Sequence, residues 1–283
     1  MGADRYVIGI DSSTQSVKAI AWTADGTPAF EGRAPHTLLT PDALRAEQDP
    51  DEWWTAAQAA LRALTAQVDP ASIDGIAISN QRETMAILDK SGSSLYPATV
   101  WLDRRAHESP ALMGADLGRE WLHRTTGKPV DAIACVYRLR WLRDHAPEVL
   151  DKAAHIMSVH DFLTWRLTGT PAATWTSADP FGLFDIAAKT WSRPILDHLN
   201  LSVDLLPAAH RPGTPIGQIS HEAAGLTGLR SGTPVFAAGG DGHCAALGVG
   251  AIGNDVIYLN LGTAVVGGIW SPTPDVSRYW RTL

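Results

Sequence analysis

Two aspartates, Asp11 and Asp241, each follow a run of small or apolar residues and open onto a short polar stretch, in VIGIDSSTQS (7–16) and PVFAAGGDGHCAALGVG (234–250). Carboxylates carried to the ends of buried strands can help hold a hard cation or take a proton. Ser12, Ser13 and Thr14 follow the first aspartate, and a third segment, VIYLNLGTAVVG (256–267), sets Gly262 and Thr263 in a similar strand-to-turn context. Backbone N–H groups and hydroxyls in two facing turns would cradle phosphate oxygens, so the three segments together point to phosphoryl transfer. That arrangement needs no P-loop lysine, and none is present. Each segment also has a plainer reading: Asp241 as a helix cap, Asp-Ser-Ser as a turn between strands, Leu-Gly-Thr as a strand exit.

The elements around these residues follow from pattern. Residues 6–10 and 17–22 are β-rich, and Asp25-Gly26 supplies a turn before a third strand around 29–33, which makes an antiparallel meander. Asp49-Pro50 gives an N-cap with proline at the first helical position. Trp53, Ala57, Ala60, Leu61 and Leu64 then recur at helical spacing, so a helix should pack on the sheet. Residues 73–79 and 85–88 read as strands with the polar NQRE (80–83) between them, and a Lys90-Ser91-Gly92 turn follows. The stretch from about 105 to 170 reads as mostly helical, including 136–145 and 156–168, before strand at 234–238, helix at 242–249 and strand at 256–261. No tandem repeat or low-complexity tract is visible.

Composition narrows the classes. With 283 residues, 45% hydrophobic and 19% charged, the chain can bury a sizeable core as an ordinary globular protein. A formal net charge of −7 with no basic stripe argues against nucleic acid as a partner. Cys135 and Cys244 lack metal spacing and disulfide density, which suits a reducing, cytoplasmic setting. No signal segment or membrane-spanning window is apparent, so no membrane partner is expected. GVGAIG (248–253) satisfies the dinucleotide spacing but follows a helix and precedes a strand, the reverse of the required order. HEAAG (221–225) lacks the second histidine of a zinc protease.

The three segments, in their order along the chain, resemble the FGGY family of sugar and polyol kinases within the actin-like ATPase superfamily. That resemblance implies an α/β, ribonuclease-H-like lobe with a mixed sheet and packed helices over 1–250, and the beginning of a second lobe over 251–283. It implies ATP and Mg2+ as cofactors, Asp241 as the base that takes the substrate hydroxyl proton, and metal held near Asp11 with Asp241 beside it. Ser12, Ser13, Thr14, Gly262 and Thr263 would then meet the nucleotide phosphates. NQRE followed by VWLDRR (100–105) is similar to the substrate-binding segments of glycerol kinases, which implies that Arg82 and Glu83 hydrogen-bond polyol hydroxyls, Trp101 covers the carbon chain and Asp103 adds a substrate-binding or supporting carboxylate. Arg82 with Glu83 as a strand-end ion pair, and Trp101 as one of 11 tryptophans in ordinary packing, remain open.

Departures shape the expected substrate. IACVYRLRWL (133–142) is similar to the first family signature, with Arg138 where lysine is usual, but Ile133 stands where glycerol kinases carry a substrate-contacting tyrosine and Gly242 where they carry glutamine. These differences favour a pentulose such as xylulose over glycerol, with other polyols open and His243 as a replacement donor or a helix-surface residue. A nucleotide- or sugar-binding protein without turnover, or an ATPase of the same superfamily, is the alternative, and a homodimer is open. Because the family carries a second lobe of comparable size, the 283-residue chain is expected to be incomplete and inactive alone.

Overall fold

A computed structural model describes residues 4–253, 255–261, 265–276 and 281–282. Strands β1 (Tyr6–Ser12), β2 (Ser16–Trp22) and β3 (Pro28–Pro35) form the expected antiparallel meander. Ile8 and Ile10 on β1 and Val17, Ala19 and Ala21 on β2 alternate into the core, as the period of a strand requires. After the short β4 (Glu47–Gln48) comes helix α1 (Pro50–Thr65), capped by the Asp49 carboxylate, which accepts from Asp51 N–H, and started by Pro50. Its buried face is Trp53, Ala56, Ala57, Ala60, Leu61 and Leu64. The small alanines let α1 approach the sheet closely.

Strand β5 (Ile73–Asn80) lies parallel to β1, and the strand Pro234–Gly240 lies parallel to β5 on its other side. With Pro215–Gln218 at the edge, the six-stranded sheet runs 215–218, 234–240, β5, β1, β2, β3. Strands β6 (Met85–Leu88) and β7 (Ser94–Thr99) join β4 and a later strand in a second, antiparallel sheet. The Gln81–Thr84 connection therefore crosses from one sheet to the other.

Helices α2 (Ser109–Leu117), α3 (Arg119–Thr126), α4 (Cys135–His145) and α5 (Pro147–Lys152) confirm the helical reading of this region. The helix expected over 156–168 is corrected: His155–Ser158 is strand β8, paired with β6, and α6 begins at Val159 and runs to Thr168. Ser158 is the reason. Its hydroxyl accepts from Asp161 N–H while the Asp161 carboxylate accepts from Ser158 N–H, a reciprocal cap that fixes the helix start. The helix after the last strand of the large sheet is Asp241–Gly248, and the hairpin Ile257–Leu261 with Val265–Ile269 follows.

Apolar residues form two clusters. One joins the large sheet to α1 and α6, with the Trp53 and Phe162 rings edge to face at 5.8 Å. The other gathers α4 with Phe181, Phe184 and Trp191. The tightest approach is at Gly32 on β3: a Cβ there would collide with the Ala60 carbonyl oxygen and lie 2.9 Å from Leu64 N. Gly32→Ala must push α1 off the sheet, and it is expected to lower the free energy of unfolding by about 3 kcal/mol, read as an earlier urea midpoint at unchanged m-value. A midpoint equal to wild type would show that the helix is not seated where this packing puts it.

Candidate active site

The register of three parallel strands brings the two aspartates together. Asp11 and Ser12 at the end of β1 pair with Ser79 and Asn80 on β5, which pair in turn with Gly239 and Gly240. Asp241 is the next residue and the first of its helix. Ser79 Oγ donates to Asp11 Oδ1 at 3.1 Å, and Gly242 N–H donates to Asp241 Oδ1 at 2.7 Å. Burial raises the pKa of Asp11 above the ordinary aspartate value against the Ser79 hydrogen bond. Burial also raises Asp241, with the negative charge of Asp11 adding to it and the Gly242 N–H and Arg82 opposing. Asp241 is solvent-exposed at the start of its helix, with protein atoms close enough around it to disfavour its charge.

The turn after Asp11 is built differently from the expected cradle. Ser12 is the last residue of β1, and its hydroxyl is sealed from solvent without a partner among the described residues. The Ser13 N–H and hydroxyl both donate to Ser16 O at 3.0 Å, closing the β1–β2 hairpin. Thr14 sits at the tip, where its Oγ1 accepts from Trp101 Nε1–H at 3.1 Å. Gly262 and Thr263 lie outside the described residues.

Arg82 and Glu83 enter a buried charged cluster. Arg82 Nη2 donates to Asp179 Oδ2 at 2.8 Å, Lys128 Nζ reaches the same oxygen at 2.5 Å, and Glu83 Oε1 lies 3.8 Å from Arg82 Nη2. Arg281 Nη1 donates to Glu83 Oε1 at 3.3 Å. Burial alone would raise Asp179, but the Arg82 and Lys128 charges outweigh it and hold the carboxyl below its usual range. Lys128 moves the other way, lowered chiefly by burial and further by repulsion from Arg82. Glu83 has a left-handed backbone at φ 49°, and buried Arg138 donates to its carbonyl and, at 3.3 Å, to that of Val100. Arg138, noticed in the sequence only as a departure from lysine, thus anchors both segments that carry Glu83 and Trp101.

Asp103 takes the supporting place among the two left open for it. It is buried, both of its oxygens accept from Arg105, and Oδ2 also accepts from Ala46 N–H at 2.9 Å; Arg105 continues to Glu47 at 2.6 Å. Its carboxylate ties the Arg105 side chain and the Ala46 backbone together. Sequence reasoning missed Asp179 and Lys128, which stand in ordinary-looking ADPF and TGKP contexts, and left His243 open. His243 Nδ1 meets Arg82 Nη1 at 3.2 Å, and because a guanidinium only donates, the proton of the neutral ring is on Nε2. Burial first, then Arg82, pulls its pKa down to about 4, so the ring is neutral at physiological pH.

Among the described residues no group of three or more His, Cys, Asp or Glu converges on a metal position. Two neighbouring carboxylates nevertheless fit magnesium, which commonly takes one or two carboxylates and completes its shell with water and phosphate. Parallel strands whose ends present paired carboxylates, next to a polar turn and a buried arginine, are the arrangement that the resemblance to FGGY kinases implies.

Comparison with known proteins agrees: the model of the FGGY family of carbohydrate kinases, N-terminal domain, matches residues 6–248, and the chain belongs to that family. A xylulose kinase of Lactococcus lactis is 30% identical over 269 residues, covering 94% of this chain and 54% of the relative. A xylulose kinase of Streptomyces rubiginosus is 34% identical over 263 residues, covering 91% and 53%. The solved gluconate kinase of Lactobacillus acidophilus superimposes with a TM-score of 0.91 at 26% identity, over 96% of this chain and 55% of that one. The chain spans about half the length of the curated relatives it matches, and its lobe has the actin-like, ribonuclease-H-like mixed sheet expected from the sequence.

Opposite pKa shifts separate Asp179 from Asp241. Asp179, lowered when folded, contributes stability that is complete above the ordinary aspartate pKa and lost as pH falls through its folded value. Asp241, raised when folded, binds its proton more tightly in the native state, so its ionisation costs stability as pH rises from the ordinary value through the folded one. At pH 7 Asp179→Asn should therefore destabilise by about 3–5 kcal/mol, by stranding two buried cations, while Asp241→Asn should leave thermal stability equal or higher. Calorimetry of both variants checks this, and a large loss in Asp241→Asn with none in Asp179→Asn would reverse the assignment.

Proposed function

We propose that the protein phosphorylates a hydroxyl of a small sugar, with a pentulose such as xylulose favoured, using ATP and magnesium. The observation that carries this reading is the alignment of Asp11, at the end of β1, and Asp241, just after the strand 234–240, on either side of β5 in one parallel register, beside Arg82, Glu83 and Trp101. Asp241 accepts the proton of the attacking hydroxyl, and its raised pKa moves it toward better matching as a base. Arg82 and Glu83 hydrogen-bond the sugar hydroxyls, and the Trp101 ring covers the carbon chain. Magnesium, held near Asp11 with Asp241 beside it, would neutralise the charge on the phosphate oxygens. Thr14 meets the terminal phosphate, and Gly262 and Thr263 complete the cradle in the lobe that begins near residue 251. Transfer is direct, so no phosphorylated enzyme forms.

Two features favour a ketose over glycerol. Ile133 is exposed in the loop before α4 and offers no hydroxyl. Gly242 offers no side-chain group to a sugar, and a Cβ there would lie 3.3 Å from the Tyr258 hydroxyl. Xylulose relatives are consistent with this preference. A cytoplasmic location accords with the substrate class, and among the described residues no helix is long and apolar enough to cross a membrane.

In the full-length protein, Asp241→Asn should reduce sugar phosphorylation by at least about a thousandfold while changing sugar affinity little, because the amide keeps the shape and cannot take the proton. Coupled ADP release with calorimetric sugar binding measures both, and near wild-type turnover would remove Asp241 from the role of base. Across a substrate panel, xylulose or another pentulose should exceed glycerol in kcat/KM. A panel led by glycerol would overturn the specificity argument while leaving the kinase reading in place.

A further inference from the structure

Thr14, at the tip of the β1–β2 turn, is held through both of its oxygens by residues that belong to other segments. Its Oγ1 accepts from Trp101 Nε1–H at 3.1 Å, and its carbonyl accepts from Gln48 Nε2 at 2.5 Å. An indole nitrogen can only donate, so the Thr14 hydroxyl is the acceptor in this pair and its own proton remains available to donate. Gln48 is buried, and its orientation is unambiguous: Oε1 accepts from Trp53 Nε1–H at 2.9 Å and from Gln81 Nε2 at 2.8 Å. A flipped amide would set donor against the indole N–H. Gln81 directly precedes Arg82 and donates its N–H to Ser12 O at 2.8 Å. The turn after Asp11 is thus fastened twice to the sugar side of the cleft, once through Trp101 and once through Gln48 and Gln81.

We propose that Trp101 and Gln48 are positioning residues that couple the sugar site to the phosphate turn. A sugar lying against the Trp101 ring fixes the indole, the indole N–H fixes the Thr14 oxygen, and the Thr14 proton is thereby aimed at the terminal phosphoryl group. Gln48 holds the Thr14 carbonyl so that the turn pivots as little as possible. This rests on the sugar-kinase reading above, and it assigns a role to Gln48, a residue that no motif singles out.

The test uses the full-length protein and xylulose. Trp101→Phe keeps an aromatic face, smaller than the indole, and removes the N–H, so the loss should fall mainly on kcat, by about tenfold or more, with a smaller rise in sugar KM. Thr14→Val should lose a similar factor, Thr14→Ser should retain most of kcat because it keeps the hydroxyl, and the Trp101→Phe/Thr14→Val pair should lose no more than the worse single variant. Hydrogen exchange supplies a readout independent of turnover: sugar should slow exchange of the amides of residues 13–16 in the wild type, and Trp101→Phe and Gln48→Glu should abolish that slowing while remaining folded by circular dichroism. Wild-type kcat in Trp101→Phe, a raised sugar KM with unchanged kcat, additive losses in the pair, or sugar protection that survives in both variants would each overturn the coupling. A wild-type protein that binds sugar and nucleotide without sugar-dependent transfer would instead overturn the kinase reading, and the proposal with it.

Discussion

The site depends on the register between β5 and its two parallel neighbours. Because Ser79 and Asn80 face Asp11 and Ser12 on one side and Gly239 and Gly240 on the other, residues separated by some 230 positions in sequence arrive at one end of one sheet. A one-residue slip would turn the side chain of Asp11 to the opposite face. The glycines are part of the same constraint: a Cβ on Gly240 would lie 2.5 Å from Arg82 Cδ and 2.6 Å from Cγ. The Arg82 stem can lie across the strand end only because nothing projects from residue 240, and that is what sets its guanidinium between Asp179 and His243.

Around these strand ends the charges organise position more than they add stability. Taking Arg82, Lys128 and Asp179 out of water is costly, and such groups are strongly destabilising when one partner is removed even where the intact set contributes little net. Arg138 acts in the same sense on the backbone. The left-handed conformation of Glu83 costs about 1–3 kcal/mol for a residue of this kind, and the guanidinium bond to its carbonyl helps hold it. With the Glu83 backbone held in this conformation and Arg82 fixed by Asp179, the directions of these donors and acceptors are set in advance.

Much of this was legible in the sequence where one signal dominates locally. The meander, the Asp49-Pro50 helix start, the NQRE connection and the strand before Asp241 all rest on short-range pattern, and each is found where the pattern puts it. The start of α6 was missed although Ser158-x-x-Asp161 is a capping signature, because apolar periodicity ran back across Ile156 and Met157, which belong to β8. Ser13 and Asp103 sit in family-like motifs but serve hairpin closure and a buried ion pair. Their motifs specify chemistry in three dimensions that the residue types alone leave open. Asp179, Lys128 and Gln48 were not singled out, since a buried partner far away in sequence has no local signature.

We propose that the strand ends carrying Asp11 and Asp241 direct the terminal phosphoryl group of ATP to a sugar hydroxyl without an intermediate. The most direct test supplies the full-length protein with xylulose and ATP whose γ-phosphorus is chiral by oxygen isotope and sulfur substitution. The account predicts one labelled sugar phosphate per ADP, with inverted configuration at phosphorus. Label released as inorganic phosphate, or a sugar phosphate with retained configuration, would contradict it.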